Sequence, residues 1–277
     1  MTSLTLLIRI YNSHQLRQID KTLGAILGEL NVDATVTGTL AGRWVEMELS
    51  GEDESIATNL LAREVGFCPT NLLSIKKFSN LKGYAVETGK GEELTVDIGV
   101  FQPKPVHAAV SLGHLQKHLA DGKKLPLKKI FELWGITENL PLNLKIINAD
   151  TEENKIEAEL QTTQINHFNS WRDSLLDRLL VIGASLYEIN AAIEQEHLSR
   201  DIIDIEQLGM FEFALVCKLG TDAAGLISRM GRRLRKAKFT VFNPKKILSP
   251  TETTLTLNPT AQPKPQKTDP TKSADKE

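Results

Sequence analysis

The stretch that decides the fold begins Leu81-Lys-Gly-Tyr-Ala-Val-Glu-Thr88, turns on Gly89-Lys-Gly91 and continues Glu93-Leu-Thr-Val-Asp-Ile-Gly-Val100. Further on, Leu142-Asn-Leu-Lys-Ile-Ile-Asn-Ala-Asp150 and Lys155-Ile-Glu-Ala-Glu-Leu160 form a hairpin whose polar turn follows an Asp. A glycine-marked strand, a Val-Asp-Ile-Gly strand and a closing hairpin make a small-barrel pattern. The candidate strands are 81–88, 93–100, 106–112, 141–149 and 154–161. Five short antiparallel strands with a helix between the third and fourth have OB-fold topology.

Gly83-Tyr84, Gly91, Val96-Asp-Ile-Gly-Val100, Lys145 to Asp150 and Lys155 to Leu160 together resemble the RNA-binding OB repeat of the small-subunit ribosomal protein S-one. The resemblance covers about eighty residues and implies a single-strand RNA-binding face. That family carries an aromatic just before the Val-Asp-Ile-Gly core and a His or aromatic near the end of the third strand. Here those positions hold Thr95 and Ser111. Each base stacked on an aromatic ring contributes roughly 1–3 kcal/mol, so their loss weakens the usual face. Tyr84, Phe101 and His107 are the candidate substitutes.

The connection between the third and fourth strands is long. His114-Leu-Gln-Lys-His118 reads as a helix, and Pro126 to Trp134 as a second helix ending at Gly135. Lys123, Lys124, Lys128 and Lys129 lie on it, with no acid from Gly122 to Phe131, a pattern suited to phosphate contact. His114 and His118 are one turn apart, yet no acid between them completes a His-Glu-x-x-His motif, so neither a metal nor a cofactor is expected.

Residues 1–79 read as strand, helix, strand, strand, helix, strand, a ferredoxin-like α/β unit. Leu4, Leu6, Ile8 and Ile10 alternate; Leu16, Ile19, Leu23, Ile26 and Leu30 form one helical stripe; and Leu72 to Phe78 supplies the last strand. Residues 80–162 are the barrel with its insertion, and 163–249 a second ferredoxin-like unit. In the latter the spacing predicts a helix over 164–183, with Trp171, Leu175, Leu176 and Leu179 as its buried stripe. Ser185-Leu-Tyr-Glu188 is a capping box that starts another helix. Strands follow near 201–208 and 211–218, then a helix from Ala223 to Lys236 and a strand at Phe239–Phe242.

That last helix has two faces. Leu226, Ile227, Met230 and Leu234 form its apolar stripe, and Arg229, Arg232, Arg233 and Lys236 lie opposite. With Arg235, Lys238, Lys245 and Lys246 they make an acid-free basic segment in a chain whose formal net charge is only -2. The turn Lys218-Leu-Gly-Thr-Asp-Ala-Ala-Gly-Leu-Ile227 looks like the strand-to-helix turn of amino-acid-sensing ACT domains, which implies a small ligand at the helix start. Residues 250–277, rich in Pro, Thr and Lys, are expected to be disordered.

Cys68 and Cys217 are too far apart for a framework of disulfides or a thiolate metal site, which fits a reducing, cytoplasmic setting. No apolar run approaches membrane-spanning length, so no membrane partner is expected. There is no Walker loop, dinucleotide fingerprint or nucleophile elbow; Asp97, Asp201, Asp204 and His197 are left for tertiary folding to gather. His118-Leu-Ala-Asp-Gly-Lys-Lys, Asn139-Leu-Pro-Leu and Val216-Cys-Lys-Leu-Gly-Thr-Asp-Ala-Ala-Gly-Leu-Ile are similar to an archaeal family of conserved proteins with no assigned activity. The order barrel, helices, α/β unit resembles the architecture of the alpha subunit of translation initiation factor two.

The leading expectation is a non-catalytic RNA-binding protein of translation or RNA processing. RNA, ribosomal or transfer RNA among the candidates, would meet Tyr84, His107, the four insertion lysines and the Arg229, Arg232, Arg233, Lys236 and Lys238 segment. A ligand-sensing regulator and a protein-interaction scaffold are the alternatives.

Overall fold

The computed structural model describes residues 2–41, 43–86 and 92–248. The expected Gly89–Gly91 turn, Gly42 of the Ala41-Gly42 turn and the tail expected to be disordered lie outside these residues.

The fold is mixed α+β, with a closed five-stranded barrel between two smaller sheets. The N-terminal unit contains β1 (Thr2–Arg9), α1 (His14–Leu27), β2 (Val32–Leu40), β3 (Trp44–Gly51) and α2 (Glu54–Glu64), with an antiparallel sheet ordered β1-β3-β2. Helical spacing puts Ile19, Leu23 and Leu27 on one face of α1, where they pack with Leu6, Ile8, Met47 and Leu49. The fourth strand expected at 72–78 does not form. Instead, β4 (Thr70–Asn71) runs parallel to a barrel strand and Leu72–Ser74 is a 3-10 turn. The return to the N-terminal sheet is limited to an isolated antiparallel bridge between Phe67 and Leu6 of β1, after which the chain crosses to the barrel.

The barrel strands are β5 (Asn80–Ala85), β6 (Glu93–Gln102), β7 (Val106–Ser111), β8 (Pro141–Asp150) and β9 (Lys155–Leu160). They pair in the order β6-β5-β8-β9-β7, and β7 returns to β6, so no barrel edge is left open. The β7–β9 pair is parallel and the other barrel pairs are antiparallel. Between β7 and β8 lie α3 (Leu112–Leu119) and α4 (Leu127–Trp134); α4 ends at Gly135, which is left-handed with φ +66°.

The C-terminal unit contains α5 (Thr162–Asp173), β10 (Arg178–Ile182), α6 (Leu186–Gln195), β11 (Ile202–Gln207), β12 (Glu212–Cys217), α7 (Ala223–Arg233), β13 (Lys238–Phe242) and α8 (Lys245–Leu248). Its sheet is antiparallel in the order β11-β12-β10-β13. The helix expected over 164–183 is therefore two elements. It stops at Asp173, and Leu179 belongs to β10, a central strand whose five residues are all buried. A short apolar run covered on both faces has no alternation to betray it, and its leucine spacing imitates a helix.

One face of this sheet carries α6 and α7 over Leu179, Val181, Phe213 and Leu215. The other face sends Leu180, Ile182 and Phe242 into the core that holds barrel residues Ile98, Leu144 and Ile146 and the rings of Trp134, Phe168 and Trp171. Trp134–Phe168 and Trp171–Phe242 have ring centroids 5.6 and 5.4 Å apart, the separation of favourable tilted and edge contacts. Barrel, insertion and C-terminal sheet thus share one interior.

Gly99, the glycine of Val-Asp-Ile-Gly, has φ +77°, and an added Cβ would lie 2.5 Å from Cys68 Sγ. Gly99→Ala is expected to lower unfolding free energy by roughly 2 kcal/mol or more through strain and overpacking. Gly24→Ala, in open space on α1, should raise it by about 0.5–1 kcal/mol. Urea titration of both variants checks the pair.

Candidate functional site

Strand alternation turns Val96 and Ile98 into the barrel and Asp97 outward. Asp97 nevertheless has little contact with water, because the N-terminal unit covers it. Arg9, the last residue of β1, places Nη2 2.6 Å from Asp97 Oδ2 and donates from Nη1 to Asn139 Oδ1 at 2.9 Å. Trp44 Nε1 donates to the same Asp97 oxygen at 3.3 Å, and Gly99 N–H donates to Oδ1 at 3.0 Å. The Arg9 guanidinium also lies 4.9 Å from the Trp44 ring centre and 5.4 Å from that of Tyr84. Burial pushes the Asp97 carboxyl up, but His107, Arg9 and the Gly99 amide outweigh it and hold the group below its ordinary range.

This seam decides the fate of the barrel's expected binding residues. Tyr84 is 1% exposed, lies edge-on to Trp44 at 5.5 Å and donates its hydroxyl to Leu7 O, so it offers no ring to a base. Phe101 is taken by Trp44 in the same way, at 6.3 Å. His107 stays partly exposed at the rim, its Nδ1 3.6 Å from Asp97 Oδ1. The Thr95–Ala109 and Glu93–Ser111 pairs of β6 and β7 carry no aromatic ring.

A second seam joins the N-terminal and C-terminal units. Tyr11 Oη donates to Glu212 Oε1 at 2.5 Å, the Tyr11 ring packs on Gly183, and Gln15 Nε2 donates to Gly183 O at 3.0 Å. Lys82 of β5 donates to Leu208 O at 2.7 Å close by, its own pKa lowered by burial. Glu212 is buried, and desolvation pushes its carboxyl up to about 7 against the opposing hydrogen bonds from Tyr11 and Phe211 N–H.

The basic segments are divided by folding. Lys123, Lys124, Lys128 and Lys129 are exposed, with Glu132 3.8 Å from Lys129. α4 packs on α8, and Lys128, Lys129, Lys245 and Lys246 are all exposed. On the other side of the C-terminal sheet, Glu196 accepts from Arg232 at 3.0 Å and Arg233 at 2.8 Å, and Arg229 bonds the Glu196 carbonyl. The Arg233 hydrogen bond is the chief reason the Glu196 carboxyl sits low. Lys238 is bonded to Glu138 at 2.5 Å. Arg235 and Lys236 have no acidic partner among the described residues.

Arg235 and Lys236 line a cleft of about 600 Å³ with Arg232, Arg233, His14 and Tyr187. The capping box of Ser185 and Glu188 fixes the start of α6, which turns Tyr187 outward with 81% of its surface exposed. Glu188 also lines the cleft, its carboxylate bound to Ser185 N–H and Oγ. Tyr187 was not singled out in the sequence because it sits inside the capping motif; an aromatic at an outward position of a capped helix was its only signal.

The turn likened to an amino-acid sensor is differently equipped. Two of the first amides of α7 are engaged, Ala224 N–H by the Asp222 side chain and Gly225 N–H by Asp222 O. An arriving carboxylate finds these donors taken. His114 and His118 rings lie 4.5 Å apart, but no group of three or more His, Cys, Asp or Glu among the described residues is placed to hold a metal. Asp97, Asp201 and Asp204 have separate tasks, pairing with Arg9, pairing with Arg229 and bonding Ile205 N–H. No helix among the described residues is long and apolar enough to cross a membrane.

In sequence, the DUF2110 N-terminal, central and C-terminal domain models match residues 3–70, 79–172 and 176–242 in turn. The chain belongs to the DUF2110 family. No curated protein matches it in sequence. Among solved structures, it is similar to uncharacterized protein MJ1198 from Methanocaldococcus jannaschii, at 10% identity over 32% of this chain and 95% of that one, with TM-score 0.22. It is also similar to a protein from vaccinia virus (Wisconsin strain), at 17% identity over 31% of this chain and 89% of that one, again with TM-score 0.22. Each likeness covers about a third of this DUF2110 chain.

The Glu212 seam has a pH signature. A carboxyl with a folded pKa near 7 and an ordinary unfolded value of 4.5 contributes fully below 4.5, and its contribution is lost as pH rises through 7. The loss is on the order of 3 kcal/mol. Glu212→Gln should therefore melt increasingly above wild type between pH 5 and 7.5. A constant difference in Tm across that window would show that Glu212 does not titrate there.

Proposed function

We propose that this chain is a non-catalytic RNA-binding protein of the translation or RNA-processing machinery, and that the cleft between α6 and the end of α7 is its main contact. The observation that carries the reading is the meeting of an exposed ring, Tyr187, with Arg235 and Lys236, which form no ion pair among the described residues, in one cleft. Sequence-tolerant single-strand binding needs these two ingredients, a π-face for bases and cations for the backbone. The exposed lysines of the neighbouring helices α4 and α8 add further cations for the backbone.

The barrel order, with its parallel third–fifth pair and helical insertion, supports an OB reading of the centre. The β-α-β-β-α-β order after α5 supports a ferredoxin-like reading of the C-terminal unit. Neither reading selects a function by itself. An archaeal source and a cytoplasmic location go with this reading, resting on the sequence phrases and the two unpaired cysteines.

Fluorescence anisotropy with a labelled single-stranded RNA at graded salt tests the proposal. Arg235→Glu with Lys236→Glu should abolish retention at low salt, since each lost phosphate contact removes about 0.7 from the single-strand log–log salt slope and each reversed charge adds repulsion. Tyr187→Ala should weaken binding about fivefold to one-hundredfold with little change in that slope. Absence of salt-sensitive binding by wild type overturns the reading.

A further inference from the structure

Phe78 combines features that a structural side chain has little reason to combine. It is the last residue of the expected strand that did not form, in the turn that delivers the chain into β5. Its backbone is left-handed, with φ +65°, a conformation that is an outlier for a bulky residue. Such strain costs on the order of 1 kcal/mol or more and persists only where the surroundings hold it. Here they do. Phe78 N–H donates to Ile146 O at 2.8 Å, Ile146 N–H donates to Ser79 O at 2.9 Å, and Ser79 N–H closes onto Lys76 O at 3.1 Å.

What the strained backbone supports is an outward ring. Phe78 is 60% exposed and contributes to none of the buried clusters. Lys77 Nζ lies 5.3 Å and Lys145 Nζ 5.6 Å from its ring centre; neither ammonium is within ion-pair distance of an acid among the described residues, although Glu159 stands opposite Lys145 on β9. Lys76 is exposed beside them. Lys145 is brought in from β8, where it pairs with Asn80, so chain segments almost seventy residues apart build the group.

We propose that Phe78 is a base-stacking platform for single-stranded nucleic acid, with Lys77 and Lys145 receiving the phosphates that flank the stacked base. A nucleotide, whose planar base and anionic phosphate are joined by one sugar, would take the ring face and draw the ammonium groups that now lie over it onto the flanking phosphates. The platform lies where the start of β5 meets β8, at the Asn80–Lys145 pair, whereas the N-terminal unit contacts Tyr84 at the end of β5 and Asp97 of β6. The inference rests on the RNA-binding reading above and adds a contact independent of the Tyr187 cleft.

The test uses the full chain and a fluorescein-labelled twelve-nucleotide oligouridylate. Phe78→Ala and Phe78→Leu should each weaken binding about fivefold to one-hundredfold, while Phe78→Tyr retains it. Lys77→Ala with Lys145→Ala should flatten the salt dependence instead. Phe78→Gly relieves the backbone strain, so its Tm should equal or exceed that of wild type while its affinity falls; a lower Tm would assign the ring a structural role and overturn the proposal. Trp44, Trp134 and Trp171 are buried, so the exposed indole added by Phe78→Trp should emit to the red and be quenched by RNA.

If Arg235→Glu with Lys236→Glu abolishes binding but every Phe78 variant binds as wild type does, the platform is wrong and the cleft stands. If wild type binds no RNA, both fall. If polyglutamate displaces RNA and binds Phe78→Leu as tightly as wild type, the patch is a charge-driven protein contact and the stacking proposal is overturned.

Discussion

The rest of the structure depends on a charge that strand geometry forces outward and tertiary packing then buries. Asp97 cannot face the barrel interior, which Val96 and Ile98 fill, and it is not left in water either. An isolated buried carboxylate would be prohibitively costly; Arg9, the Trp44 indole and the Gly99 amide together make it tolerable. Such a pair adds little net stability over apolar packing, but with one partner gone the other is stranded, at a cost of about 3–5 kcal/mol. The seam's contacts run between the N-terminal unit and the barrel, so leaving either charge unpaired would penalise any other placement of the two.

Burial of that seam has a functional consequence. The rings nearest the Val-Asp-Ile-Gly strand, Tyr84 and Phe101, are spent on Trp44. A face that would offer aromatic platforms in an isolated barrel becomes an internal interface. Exposed rings appear elsewhere, at Tyr187 over the C-terminal cleft and at Phe78 on the turn into β5. The Tyr11–Glu212 and Gln15–Gly183 hydrogen bonds extend the same logic to the third unit, the first joining residues 201 apart in sequence.

Electrostatics are organised by pairing as much as by composition. A row of cations on α7 looks like one patch in sequence, but Glu196 draws Arg232 and Arg233 together and Glu138 takes Lys238. What remains for an external anion is concentrated at Arg235 and Lys236, with the exposed lysines of α4 and α8 in addition. A chain of near-zero net charge can thus present small, separate positive sites without a uniformly basic surface.

Much of the local structure was written in the sequence. The barrel strands, the two insertion helices, the Ser185 capping box and the apolar stripe of α7 follow from periodicity and cap chemistry, which depend on near neighbours. Arg178–Ile182 does not read as a strand because a strand buried on both faces shows no alternation, and 72–78 stays out of the N-terminal sheet because the chain meets β1 earlier, at Phe67, and then turns to β6. The insertion lysines, Arg235 and Lys236 were visible as charges, but their partners were not. Tyr84 and Tyr187 illustrate the division most plainly. Sequence alone determined that each sits in an ordered element; only tertiary packing decided that Tyr84 is enclosed by Trp44 and Tyr187 projects into a basic cleft, because burial depends on which distant surface arrives to cover a side chain.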